Sequence, residues 1–353
     1  MKKRYVYMDL LNVIAIMAVI VTHSTTLFSV RPFSEQSMFW ILLLIAQVIL
    51  MVLGVPMLFM ISGANLLNYR SKYNTKIFFK KRWLKAIVPL VFWSVIYFIF
   101  NHILFGDKLS LNEFIGKFLN NSINTTFWFL YVIIGFYIVL PIFSLMAHDG
   151  KRSLIFYSAV VYFVSSGLIG SYYSIYRGGD FATGGNMPLL LHALPALTGW
   201  LPICYLFAGY LIHTGTFDLK TRLWIYVGGI AGFLITMIIA VTTSLQSRTL
   251  LNAGIFSQAG GIILLSIAAF TFVKHWLGNW NPSPYVQKVL RKLSSCSLGI
   301  YILHFGILQA INHVYGTFSL LSGTVVVPVI IYFSALVVVY LLKRIPLINI
   351  IVP

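Results

Sequence analysis

The sequence predicts an all-helical, polytopic integral membrane protein with about ten transmembrane spans and both ends in the cytoplasm; three observations predict it. The first is composition: 59% of the 353 residues are hydrophobic, 9% are charged, and the mean hydropathy is +0.90. A soluble domain carries about a quarter charged residues, so this chain has too little polar surface to cover a water-soluble particle. The second is spacing. Apolar runs of about 20 residues, the length a helix needs to cross a bilayer, recur along the whole chain with short connections. The third is charge. A formal net charge of +18 in a soluble protein would suggest nucleic acid as partner. Here the basic residues fall in alternate connections, as the positive-inside rule requires. Twenty of the 25 Lys and Arg residues lie on the side of Lys2, Lys3 and Arg4, and five lie opposite: Arg31, Lys108, Lys117, Arg177 and Arg248.

Span one is expected over Tyr5–Phe28. Its basic start and apolar run imitate a signal peptide, but Asp9 and Asn12 interrupt it and no small-residue cleavage pattern follows His23. Span two, Met38–Leu67, contains Gly54 and Pro56, where a kink is expected. Span three, Ile77–Asn101, contains Pro89. In the connection that follows, Leu111, Phe114, Ile115, Phe118 and Leu119 recur at helical spacing, which predicts an amphipathic helix on the outer leaflet. Spans four to eight are expected at Phe127–Ala147, Leu154–Ile175, Ala196–His213, Leu223–Thr243 and Leu251–Trp276. A basic loop with Pro282 and Pro284 precedes span nine, Leu298–Tyr315, and span ten covers Leu321–Leu342. The chain, 1–353, reads as one membrane domain without an internal repeat. Cys204 and Cys296 are poor candidates for a disulfide or a metal site, and no metal is expected.

Span one carries the chemistry. At 100° per residue, Asn12 and His23 lie within about 20° of each other around the helix, and Asp9 lies within about 40° of His23. Asp9 and His23 are about 21 Å apart along the axis, which places Asp9 near the cytoplasm and His23 in the outer half of the membrane. Intramembrane histidines and carboxylates are costly and face a cavity or a partner. A packed histidine bonded to a neighbouring helix accounts for His23 as well as a reactive one does.

Several blocks in the chain resemble the membrane acyltransferase-3 family of bacterial surface-glycan acyltransferases. They are Asn12 to His23, with ten residues between; Val55–Gly63; Lys80-Lys81-Arg82 through Pro89 and Trp93; Phe127–Leu130 through Pro141; Gly209-Tyr210; and Ser297–His304. They stand in family order over nearly the whole chain. The arrangement resembles in particular the stand-alone members that O-acetylate enterobacterial common antigen. One departure is Asn12, where the family has Arg; Asn can only hydrogen-bond.

The resemblance implies transfer of an acyl group, usually acetyl, from cytoplasmic acetyl-CoA or another acyl-CoA to a hydroxyl of an envelope glycan or lipid-linked sugar. It implies a bacterial plasma membrane, lipid neighbours and no nucleic acid. A sugar hydroxyl needs a base, and imidazole suits that role. His23 is the candidate general base or transient acyl carrier. His304 is a second candidate, with a structural bond between helices as its alternative. Asp9 is expected to pair with a cation on the cytoplasmic side. Lys80, Lys81, Arg82 and Lys85 are candidates for the phosphates of coenzyme A, and anionic headgroups are the alternative partner. Trp128 and Tyr301 are candidates to border the substrate path, Trp128 equally an interfacial anchor. A transporter or flippase for a lipid-linked sugar, and a catalytically silent relative, remain open alternatives.

Overall fold

The computed structural model describes residues 4–25, 27, 31–32, 39–148, 150–169, 202–247, 249–250, 260–316, 318–346 and 348–352. Within them the chain is almost entirely helical. A two-residue antiparallel pairing, Arg31–Pro32 with Thr249–Leu250, is the described β-structure. Among the described residues, eight helices are long and apolar enough to cross a membrane. Two shorter apolar helices, Arg152–Ser165 and Ile203–Thr214, stand where spans five and six are expected. The remainder of those two spans and the connection between them lie outside the described residues.

The helices are α1 (Val6–Ser24), α2 (Phe39–Leu53), α3 (Val55–Leu66), α4 (Thr75–Phe105), α5 (Leu111–Leu119), α6 (Trp128–His148), α7 (Arg152–Tyr162), α8 (Pro202–Thr214), α9 (Leu219–Ser247), α10 (Gly260–Leu277), α11 (Pro284–Tyr315) and α12 (Val327–Leu342). The outer surface is apolar. Leu42 is 61% exposed, Ile142 64% and Phe333 56%. In water this would cost about 25 cal/mol per Å² of apolar surface; in lipid the cost vanishes.

The expected kink in span two is a break. Helix α2 stops before Gly54, and α3 restarts with Pro56 in its first turn. Pro56 has no N–H to give back to the preceding turn, and in a first turn none is required. Span nine is longer than its apolar run. Helix α11 begins at Pro284, capped by the Ser283 hydroxyl accepting from Val286 N, and carries Lys288, Arg291 and Lys292 on its first turns. The basic loop expected before Leu298 is therefore helix, because cap chemistry sets a helix start where hydropathy does not. The amphipathic helix is α5, capped by Ser110. Phe114 turns inward against Phe98 at 5.3 Å, while Leu111 and Leu119 stand 72% and 71% exposed. Lys117 pairs with Asp107 at 2.8 Å and Glu113 at 3.4 Å.

Two glycines set the tightest helix crossing. A Cβ on Gly63 of α3 would lie 1.8 Å from the Leu206 carbonyl oxygen of α8, and one on Gly209 of α8 would lie 2.1 Å from the Met60 carbonyl oxygen of α3. The Val55–Gly63 and Gly209-Tyr210 blocks thus face each other, and backbone meets backbone there as small residues permit in membranes. Both cysteines are buried and free.

Candidate active site

Helices α1 and α11 run side by side in the same direction, and the polar stripe of α1 faces α11. Asn12 Nδ2 donates to Ser294 O at 3.1 Å and to Ser294 Oγ at 3.0 Å. Eleven residues further along α1, the His23 ring lies 5.3 Å from the His304 ring and 5.8 Å from Phe305. The opposite face of His23 remains accessible. The far end of α1 is tied down by Ser24 Oγ donating to Gly323 O at 3.0 Å and by Thr25 bonded to Thr324 at 2.6 Å. His23 is therefore held on an ordered helix end.

Asp9 is at the other end of the stripe. Arg4 grips both of its carboxylate oxygens, at 2.7 and 2.6 Å. This bidentate pair leaves the buried carboxylate neutralised by the neighbouring chain start, as charge-assisted forks do. Asp9 has no part in orienting His23: α1 is a continuous helix and separates them by about 21 Å.

His304 is fully buried. Its Nδ1 is bonded to the carbonyl of Tyr301, one turn earlier on the same helix. A carbonyl only accepts, so Nδ1 carries the proton, and in the neutral ring Nε2 is left as a bare acceptor. Among the described residues that buried Nε2 has no hydrogen-bond partner. The described hydrogen bond of His304 is thus within its own helix.

Tyr301 is buried, and its hydroxyl donates to the carbonyl of Thr126. Its ring packs on Phe129 at 5.1 Å and on His304 at 5.4 Å. Trp128, the first residue of α6, lies 6.4 Å from both Phe59 and Phe129 and is 37% exposed. The fold thus collects His23, His304 and Tyr301, with Trp128 one aromatic ring further on. It leaves Asn12 and Asp9 nearer the opposite end.

The basic cluster splits in two. The Arg82 guanidinium lies 5.9 Å from the Phe78 and Tyr137 rings, and its Nη2 donates to the Tyr73 hydroxyl at 3.4 Å. Among the described residues its buried Nε has no partner. Lys81 and Lys85 instead line a cavity of about 460 Å³ together with Leu84, Lys343, Asn349 and Ile350. Lys80 is exposed and is not among the lining residues. Arg70, in the same basic connection, has a structural partnership: it donates to Ser144 Oγ at 2.8 Å and to Pro141 O at 3.1 Å. Sequence reasoning passed over two residues here. Ser294 lay in the segment expected as a basic loop before span nine and carried no signal there, and Lys343 entered only as one of the charges on the basic side.

Compared with known proteins, residues 5–344 match the family model described as an acyltransferase domain. No curated protein and no solved structure matches the chain.

Proposed function

The chain belongs to the acyltransferase-3 family and is a multi-pass membrane acyltransferase, and from that premise we propose that it moves an acyl group, acetyl in the simplest case, from cytoplasmic acyl-CoA to a hydroxyl of an envelope glycan. The observation that carries this reading is the imidazole pair: accessible His23 against buried His304, whose Nε2 is a bare acceptor. The acceptor hydroxyl oxygen attacks the thioester carbonyl carbon as its proton passes to His23. The tetrahedral intermediate collapses, the C–S bond breaks, and His23 returns the proton to the departing thiolate. His304 offers a second acceptor beside the His23 ring, with its tautomer fixed by Tyr301, and Tyr301 with Trp128 borders the path of the acyl group. Direct transfer accounts for the geometry without an acyl-histidine. The acceptor glycan resembles in chemistry the enterobacterial common antigen, and the bacterial plasma membrane is the setting this reading requires.

The donor's phosphates belong at the basic end, with Lys80, Lys81, Arg82 and Lys85. Arg82 is the sharpest of these, since a buried guanidinium nitrogen lacks a partner there. Arg82→Ala is expected to raise KM for acetyl-CoA about tenfold, the weight of one charge-assisted hydrogen bond, and to change kcat much less. Steady-state kinetics on purified enzyme measures this; an unchanged KM removes Arg82 from the donor site.

Asn12 supports a second reading, a catalytically silent relative, because the family's Arg is replaced by a neutral side chain bonded to Ser294. The expected result is that wild type turns over acetyl-CoA and that Asn12→Arg alters KM without creating activity. Turnover in Asn12→Arg alone would assign the wild-type chain to the silent class.

A further inference from the structure

The segment after α12 does not leave the bundle. It turns back through Ile348–Ile350 and packs along α4. The Trp93 indole N–H donates to Ile351 O at 2.8 Å, and Val352 is fully buried. Trp93 lies eight residues further along α4 than Lys85, about 12 Å deeper into the bundle. The returning segment therefore runs beside α4 from the level of the lysines inward, and it supplies Asn349 and Ile350 as one wall of the basic cavity.

Among the described residues no carboxylate offsets the charge in that cavity, and the Lys81 ammonium lies over the Tyr73 ring at 4.5 Å. Arg82, Lys343 and Lys81 all act on Lys85 as like charges. Of the described acidic residues, Asp9 is held by Arg4, Asp107 and Glu113 by Lys117, and Asp218 accepts from Thr221 N at the start of α9. None lines the cavity. Lys343 donates to the Ser295 carbonyl, which uses one of its three N–H bonds and leaves two for a ligand. Burial pushes the Lys343 ammonium below its ordinary value, as expected of a cation waiting for an anion. Arg344 is turned away, with Nη2 on the Tyr340 hydroxyl at 2.6 Å. Beside the lysines, Leu84 and Ile350 give the cavity an apolar flank.

We infer that Lys81, Lys85 and Lys343, walled by Asn349 and Ile350 of the returning segment, form a binding site for the phosphate ester of an amphiphile. Two sources carry that chemistry: the phosphates of coenzyme A, in which case the site deepens the reading above and rests on it, and the headgroup of an anionic phospholipid. Three ammonium groups neutralise a phosphate, the apolar flank takes the organic part, and the Trp93–Ile351 bond holds the wall in place.

The test uses the full-length protein in nanodiscs of zwitterionic lipid, with calorimetric titration of coenzyme A. Native mass spectrometry of protein extracted from membranes then reads retained anionic phospholipid. Lys343→Gln is expected to weaken coenzyme A binding about tenfold, with Lys343→Arg restoring most of it. Trp93→Phe keeps every charge and releases the wall; it is expected to weaken binding about threefold. Unchanged coenzyme A binding, with loss of a retained anionic phospholipid in the same variants, assigns the site to lipid and withdraws it from the donor. Variants that bind coenzyme A like wild type and retain the same lipid overturn the site, and leave acyl transfer at His23 untouched. Thermal melting of each variant separates lost binding from lost fold.

Discussion

Replacing His23 with alanine is expected to abolish acylation of the envelope glycan while the protein still accumulates in the membrane. General-base catalysis is worth about 10² to 10⁴ in rate, and His23 is the accessible member of the imidazole pair. Among the described residues the substitution removes no hydrogen bond between helices: α1 is fastened at that end by Ser24 and Thr25. Stability should therefore fall little beyond the lost ring contacts with His304 and Phe305. Mass spectrometry of surface glycans from cells carrying the wild-type gene, a deletion or His23→Ala measures the outcome. Loss of one acyl mass increment in both altered strains supports transfer and identifies the acyl group. A change in glycan abundance with every acyl group retained turns the assignment to transport of a lipid-linked sugar.

The second large effect is structural. Gly63→Ala is expected to separate α3 from α8, since its Cβ would fall 1.8 Å from the Leu206 carbonyl oxygen. The obstacle is backbone, not a flexible side-chain end, so neither side can move aside without shifting a helix. Overpacking of a well-filled core costs about 1 to 3 kcal/mol and more where backbone must shift. This site belongs to the upper end or beyond. The expected readout is a lower melting temperature in detergent and poor recovery as a single species on size exclusion. Gly209→Ala, aimed at the Met60 carbonyl oxygen from the other helix, is expected to behave alike. Normal melting of both variants would show that the crossing is looser than the structure places it.

The sequence alone determined the membrane class, the succession of apolar spans, a bend near Gly54, the amphipathic α5 and the polar stripe of α1. Each is a local property. Hydropathy, turn chemistry and helical periodicity act over 10 to 20 residues and are written in consecutive positions. It also placed Asp9 opposite a basic partner, because a buried carboxylate needs one and the nearby chain start is rich in cations. The resemblance supplied His304 and the basic cluster as candidates, but not their surroundings.

The tertiary structure alone decided which of these residues meet. Asn12 finds Ser294 and His23 finds His304 because α1 and α11 lie parallel, though 280 residues or so of chain separate them. Arg82 and Lys81 sit about 100° apart on α4; both reach Tyr73, Arg82 at its hydroxyl and Lys81 over its ring, but Arg82 also faces the Tyr137 ring while Lys81 borders the Lys343 cavity. Lys343, Asn349 and Ile350 joined that cavity only because the segment after α12 turns back along α4. Lateral order and inward return depend on packing between distant elements, where a glycine such as Gly63 sets the approach. No window of consecutive residues records that geometry.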